Sequence, residues 1–169
     1  MSLAGLFFGR SPTYQFMVVL AVVAVGFVVV FVLTSMLGKK TAFLICPVRM
    51  FMKPDDELAD GEREEMAAIV DYNAKLERNG YKAYWPYRDT NQEDPVGLRI
   101  CTDNLRAIKK CDEVHVWWNK DSMGSHFDFG MAFALKKKII LANPSLVERT
   151  GEKSFSNVLL SFADMEVED

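Results

Sequence analysis

The chain has 169 residues, 50% hydrophobic and 25% charged, with a formal net charge of −3. That is enough for one modest domain plus a short extra element, and the acidic balance, with no Lys/Arg-rich run, excludes the electrostatic footprint of a nucleic-acid binder. Its three cysteines, Cys46, Cys101 and Cys111, are odd in number and widely spaced, which suits neither a disulfide framework nor a zinc site, so reduced thiols in a cytosolic setting are expected.

The first feature in chain order is the uncharged run Phe16–Leu37. A bilayer core of ~30 Å takes roughly 20 helical residues. In lipid the backbone must satisfy its own hydrogen bonds, so even a Val-rich segment is helical there. A cleaved signal peptide would have a shorter apolar core and small residues at a cleavage site, whereas here Gly38 and Lys39-Lys40 follow directly. The expected organisation is therefore a tail over residues 1–15, a transmembrane helix over 16–38, and a domain over 40–169. Arg10 is the single basic side chain before the span, while Lys39, Lys40, Arg49 and Lys53 follow it. The positive-inside bias then places a single-pass protein in the lipid bilayer with its C-terminal domain in the cytoplasm.

Beyond Lys40, apolar runs alternate with helical periodicity. Ala42–Val48 reads as a buried strand. Asp55–Asn79 reads as a helix with Met66, Ile69, Tyr72 and Leu76 on one stripe, ended by Gly80. Tyr81–Trp85 predicts a second strand stopped by Pro86, then a polar loop over Tyr87–Pro95. Leu98, Cys101, Leu105 and Ile108 mark another amphipathic helix. Glu113–Trp118 and Lys138–Ala142 predict two more strands, with a helix over Phe127–Leu135 between them and a last helix over Ser154–Met165. Strands separated by helices mean an α/β fold: a small doubly wound parallel sheet of four to five strands, flavodoxin- or Rossmann-like. Ligands of such sheets bind outside the carboxyl ends of the strands. The segments expected there are Pro47–Pro54, Pro86–Pro95 and Asn119–Asp128, which carry most of the polar and turn residues.

One of these loops, Asp121–Ala132, holds a Gly-containing turn at a strand-to-helix junction, where free backbone N–H groups suit an anion or sugar hydroxyls. Asp128 in its first helical turn has two readings. It either compensates the helix dipole or is an enclosed functional carboxylate between Phe127 and Phe129. His115 and His126 give no metal-ligand spacing, and neither metal nor cofactor is expected. Trp117-Trp118 at a strand's end either stack on a base or pack the core.

Three stretches carry a resemblance to a known family: Phe43-Leu-Ile-Cys-Pro-Val-Arg49, Asn104-Leu-Arg-Ala-Ile-Lys-Lys-Cys-Asp112, and Ser122-Met-Gly-Ser-His-Phe-Asp-Phe-Gly-Met-Ala132. Together they resemble the nucleoside 2-deoxyribosyltransferase family and the related 2′-deoxynucleoside 5′-monophosphate N-glycosidases, over roughly residues 42 to 160. The resemblance implies retaining glycosyl transfer at C1′, with a carboxylate attacking the anomeric carbon as the base leaves. It places Asp128 where the family has a nucleophilic Glu, one methylene longer. Asn104 falls where the family has a catalytic Asp, and an amide cannot give and take a proton as a carboxyl does. Asp103 stands next to it, rotated by about 100°. Pro47, Arg49, Ser122, Gly124 and Ser125 would hold sugar or phosphate, Arg49 bidentately. Asn157, with Ser156, matches residues that the family lends to a neighbouring subunit's site, so a homo-oligomer is implied.

The expected activity is that of a membrane-anchored N-glycosidase or deoxyribosyltransferase acting on a nucleoside or nucleotide. The alternative is a nucleotide-binding sensor that keeps the pocket and has lost the catalytic carboxyls. A third reading is NAD cleavage, from the related architecture of the TIR domain.

Overall fold

The computed structural model describes residues 13, 16, 17, 19–26 and 38–166. The chain divides into two compact units, Met1–Gly38 and Lys39–Asp169. In the first, residues 13, 16, 17 and 19–26 are helical, and Phe16, Met17, Leu20 and Val22 are exposed. Among the described residues no helix is long and apolar enough to cross a membrane. Residues 18 and 27–37 of the expected span, and nearly all of the 1–15 tail, lie outside them.

The second unit is built on four strands: β1 (Thr41–Ile45), β2 (Lys82–Tyr84), β3 (Glu113–Val116) and β4 (Lys138–Leu141). They form one sheet in the order β2-β1-β3-β4, with every pairing parallel. The expected α/β parallel sheet is thus present. Each strand is shorter than its apolar run, because a parallel ladder ends where its neighbours end. β3 stops at Val116, paired with Ile45, and Pro47 lacks the N–H needed to extend β1.

Helices cover both faces of the sheet: α1 (Asp60–Arg78), α2 (Pro86–Asp89), α3 (Leu98–Lys110), α4 (Met123–Ala134) and α5 (Phe155–Glu166). Side chains alternate along the strands, as the period of two requires. Phe43, Ile45, Val114 and Val116 point into a core with Ile108 of α3, Phe129 and Ala132 of α4 and Leu159 of α5. Leu44 and Cys46 point the other way, onto Ile69 of α1, together with Trp85 and Trp117. Ile69 and Leu76 are buried, and Met66 and Tyr72 half-buried, so the predicted stripe is the packed face of α1. Glu62 accepts the Ala59 N–H at 3.1 Å and closes the start of that helix. Gly80, at φ +86°, ends it in the left-handed conformation that a side chain would resist.

Two stretches depart from the sequence reading. The polar loop after β2 contains α2, which starts with Pro86 at its first position, where a missing N–H costs nothing. The fourth helix begins at Met123 rather than Phe127, because Ser122 caps it by accepting the Ser125 N–H.

Candidate active site

The sheet order reverses between β1 and β3, and their carboxyl ends diverge into a cleft of about 620 Å³, within the range of small-molecule sites. Three walls meet there. The first is Pro47 and the single 3-10 turn Arg49–Met52 that follows β1. The second is Gly97 and one face of the α3 that follows it, in which Ile100, Cys101 and Asn104 recur at helical spacing. The third is the start of α4, with Ser122, Gly124, Phe127 and Asp128.

The geometry of the second wall is set by the loop before it. Asp94 accepts the N–H groups of Arg99 at 2.8 Å and Ile100 at 3.2 Å, an anion at a helix start. Gly97 turns the chain into α3 at φ +81°. The 3-10 turn is held from beneath, with Met50 buried and Phe51 packed edge-on to Trp85 at 5.2 Å.

Asp128 is the most perturbed acid of the cleft. It is 9% exposed, and burial pushes its carboxyl up to about 7, against the opposing effect of a hydrogen bond from Asn104. The Asn104 Nδ2 donates to its Oδ2 at 3.0 Å, and no cation pairs with it among the described residues. The amide is oriented in turn. Thr90 Oγ1 donates to Asn104 Oδ1 at 3.0 Å, which turns the NH₂ towards Asp128, and Tyr84 Oη meets Thr90 Oγ1 at 2.7 Å. The relay Tyr84–Thr90–Asn104–Asp128 thus runs from β2 through the α2 loop and α3 to α4.

Asp128 lies in the second turn of α4, and the first turn contains no acid. Dipole compensation at a helix start, one of the two sequence readings, therefore does not describe it. Since the helix starts at Met123, Asp128 belongs to its inward face beside Phe129 and Ala132.

No family model matches the chain, and no curated protein does. Among solved structures, a CMP N-glycosidase from Clostridium botulinum is similar over 60% of this chain and 67% of its own. The identity is 29% and the TM-score 0.42.

The other sequence-predicted residues divide sharply. Pro47, Arg49, Ser122 and Gly124 line the cleft. Ser125 is buried behind it, its hydroxyl 2.8 Å from that of Ser122. Arg49 is exposed and has no ion pair among the described residues, whereas Lys53 is held by Glu62 at 2.6 Å. Asp103 is not brought to the cleft. One helical step turns it away from Asn104, and it pairs with Arg106 at 3.0 Å and Arg99 at 3.5 Å. Asn157 is also elsewhere: it ties down the loop before α5 through the N–H and carbonyl of Thr150 and the Glu152 carbonyl. Its neighbour Ser156 accepts the Trp118 indole N–H at 3.0 Å. Both side chains are thus engaged within their own chain.

Trp117 and Trp118 are core residues on opposite faces of the sheet, and neither lines the cleft. The His126 ring packs on Trp118, centroids 4.5 Å apart, and is likewise outside it. Burial raises the thiols of Cys46, to about 12, and of Cys101, so both stay protonated and are poor nucleophiles. Sequence reasoning missed Thr90 and Tyr84. Neither belongs to a motif, and only the folded chain places them behind Asn104.

Proposed function

We propose that the cleft binds a nucleoside or nucleotide and cleaves its N-glycosidic bond at C1′, with Asp128 as the attacking carboxylate. The observation that carries this is the buried Asp128 carboxyl, paired with no cation among the described residues, held through one oxygen by Asn104 and lining an open cleft. An oxygen of Asp128 attacks C1′, and the C1′–N bond breaks with its electron pair going to the base. The base takes a proton from water. A second water then attacks C1′ and gives its proton to the hydroxide left by the first, and the C1′–Asp128 bond breaks with its electron pair returning to the carboxylate. Transfer to another base in place of water is the same chemistry with a different acceptor. Among the described residues that line the cleft, Arg49 is the cation left without an ion pair to meet a 5′-phosphate, and the Ser122 hydroxyl meets a sugar oxygen.

The substitution at Asn104 favours a second reading. An amide steadies Asp128 but gives no proton to a leaving base, so a nucleotide-binding sensor fits the same cleft. In both readings residues 16–38 anchor the chain in a bilayer, with the second unit on the cytoplasmic side.

The test is base release by the full chain in detergent. Substrates are deoxynucleosides, deoxynucleoside and ribonucleoside monophosphates, and NAD, with Asp128→Ala as the control. Release that disappears in Asp128→Ala supports the glycosidase. Saturable nucleotide binding without released base after prolonged incubation supports the sensor and refutes the enzyme. Release from NAD alone supports the NAD-cleaving reading instead.

A further inference from the structure

The packed face of α1 carries one side chain that core packing does not explain. Ile69, Tyr72 and Leu76 recur along it at helical spacing, and Glu65 stands one turn before Ile69 on the same face. A half-buried carboxylate in such a row costs desolvation unless its oxygens are taken up. Among the described residues no cation pairs with it. Glu65 also lies outside the three stretches that carry the family resemblance.

Its partners are neutral donors from the segment that follows β3. Trp117 Nε1 donates to Glu65 Oε1 at 3.2 Å. The Asn119 NH₂ reaches both carboxylate oxygens, at 3.2 and 3.0 Å. A bond to an ionised acceptor is roughly twice as strong as one between neutral groups, so a carboxylate holds Asn119 more firmly than an amide would.

Asn119 passes that hold to the loop that opens α4. Its Oδ1 accepts the Asp121 N–H at 2.9 Å, and its carbonyl accepts the Ser122 N–H at 3.1 Å. Both ends of the amide are therefore engaged within the chain. Asn119, Asp121 and Ser122 line the cleft, and Ser122 caps the helix that carries Asp128. Glu65 is felt at the floor of the cleft as well. Burial is the main cause that raises the Cys46 thiol, and the charges of Asp128 and Glu65 add to it.

We propose that Glu65 is a positioning residue: by holding Asn119 it fixes the Ser122 loop against the sugar of the bound nucleotide, so that C1′ is presented to Asp128. The inference rests on the N-glycosidase reading above. A displacement of ~1 Å at a reacting centre costs on the order of 100-fold in rate, so a carboxylate that touches no substrate still governs turnover.

The experiment is a double-mutant cycle on the full chain in detergent, with Glu65→Leu, Asn119→Ala and the two combined, read by base release. Glu65→Leu is expected to lower kcat about 100-fold, with a smaller change in KM. Asn119→Ala does the same. The double variant is no slower than either single one, because the second change removes a link already broken. Glu65→Gln keeps one acceptor oxygen for Asn119 and recovers most of the rate. Losses that multiply in the double variant overturn the proposal, and so does a Glu65→Gln as slow as Glu65→Leu. Asn119→Ala breaks the same link from outside the core, so it carries the test if Glu65→Leu fails to fold.

Amide hydrogen exchange needs no substrate and separates this inference from the reading beneath it. In Glu65→Leu the amides of Asp121 and Ser122 are expected to exchange several-fold faster than in the wild type, and those of α3 at the same rate. Unchanged exchange at the loop overturns the role of Glu65 alone. Faster exchange with kcat intact shows a structural tie and overturns positioning. A wild type that releases no base removes the glycosidase reading, and positioning with it, whatever the loop does.

Discussion

Replacing Asp128 with Asn preserves the shape of the side chain and its hydrogen bond from the Asn104 NH₂, and removes the charge. The carboxyl is moved by burial from its ordinary 3.8 to about 7, so between those values the folded chain keeps a proton that the unfolded chain releases. The folded state then binds more protons, and stability falls as pH rises through this window. At 1.36 kcal/mol per pH unit, the loss reaches a ceiling of ~4 kcal/mol above pH 7 and vanishes below pH 4. Asp128→Asn does not titrate, so it should match the wild type at pH 4 and exceed it progressively towards pH 8. Urea unfolding of the full chain in detergent measures this. The three tryptophans, Trp85, Trp117 and Trp118, are all buried in the second unit, so their fluorescence reports on that unit. Other acids titrate in both proteins and cancel in the difference. Wild type and variant running parallel from pH 4 to 8 would show that Asp128 is already ionised at low pH in the folded chain and would refute the reasoning.

The same carboxyl sets the rate profile. If its ionised form attacks C1′, base release rises with pH through about 7. In Asn104→Asp a second carboxyl 3.0 Å from the first disfavours ionisation of both, so the midpoint moves to higher pH; an unmoved midpoint means that another group titrates. Thr90→Val removes the donor that orients Asn104 and a partner of Tyr84. A loss of ~1–2 kcal/mol in urea unfolding is expected, with kcat lowered more than KM is raised. An unchanged kcat would show that Asn104 needs no such orientation. Arg49→Ala should leave stability within ~0.5 kcal/mol, since the side chain is exposed. It should raise KM for nucleotides about tenfold or more and leave nucleosides unaffected, as loss of a charge-assisted bond to phosphate requires; an equal effect on both would remove Arg49 as the phosphate ligand.

Chain-local signals set much of this protein. The runs Ala42–Val48, Glu113–Trp118 and Lys138–Ala142, and the stripe Met66–Ile69–Tyr72–Leu76, depend on neighbours one to four residues away. They were legible because the periods of strand and helix are local. From these alternating elements followed the parallel sheet and the position of the cleft at its carboxyl ends. The uncharged run Phe16–Leu37 is also a purely local signal, and its reading as an anchor remains a proposal.

Contacts across the fold decided the rest. Asn104 and Asp128 are 24 residues apart and meet through one bond, and Thr90 and Tyr84 stand behind them by virtue of the β2-β1-β3-β4 order. Asp103 and Asn104 are equivalent candidates in one dimension. Only the docked face of α3 sends Asn104 inward and leaves Asp103 to Arg99 and Arg106. The adjacent Trp117 and Trp118 go to opposite cores for the same reason: a strand's side chains alternate, and what each meets is set by the helix laid across that face. Sequence spacing states which residues can share a face. Which faces are buried against each other, and hence which carboxyl loses its water, is set by packing between distant segments.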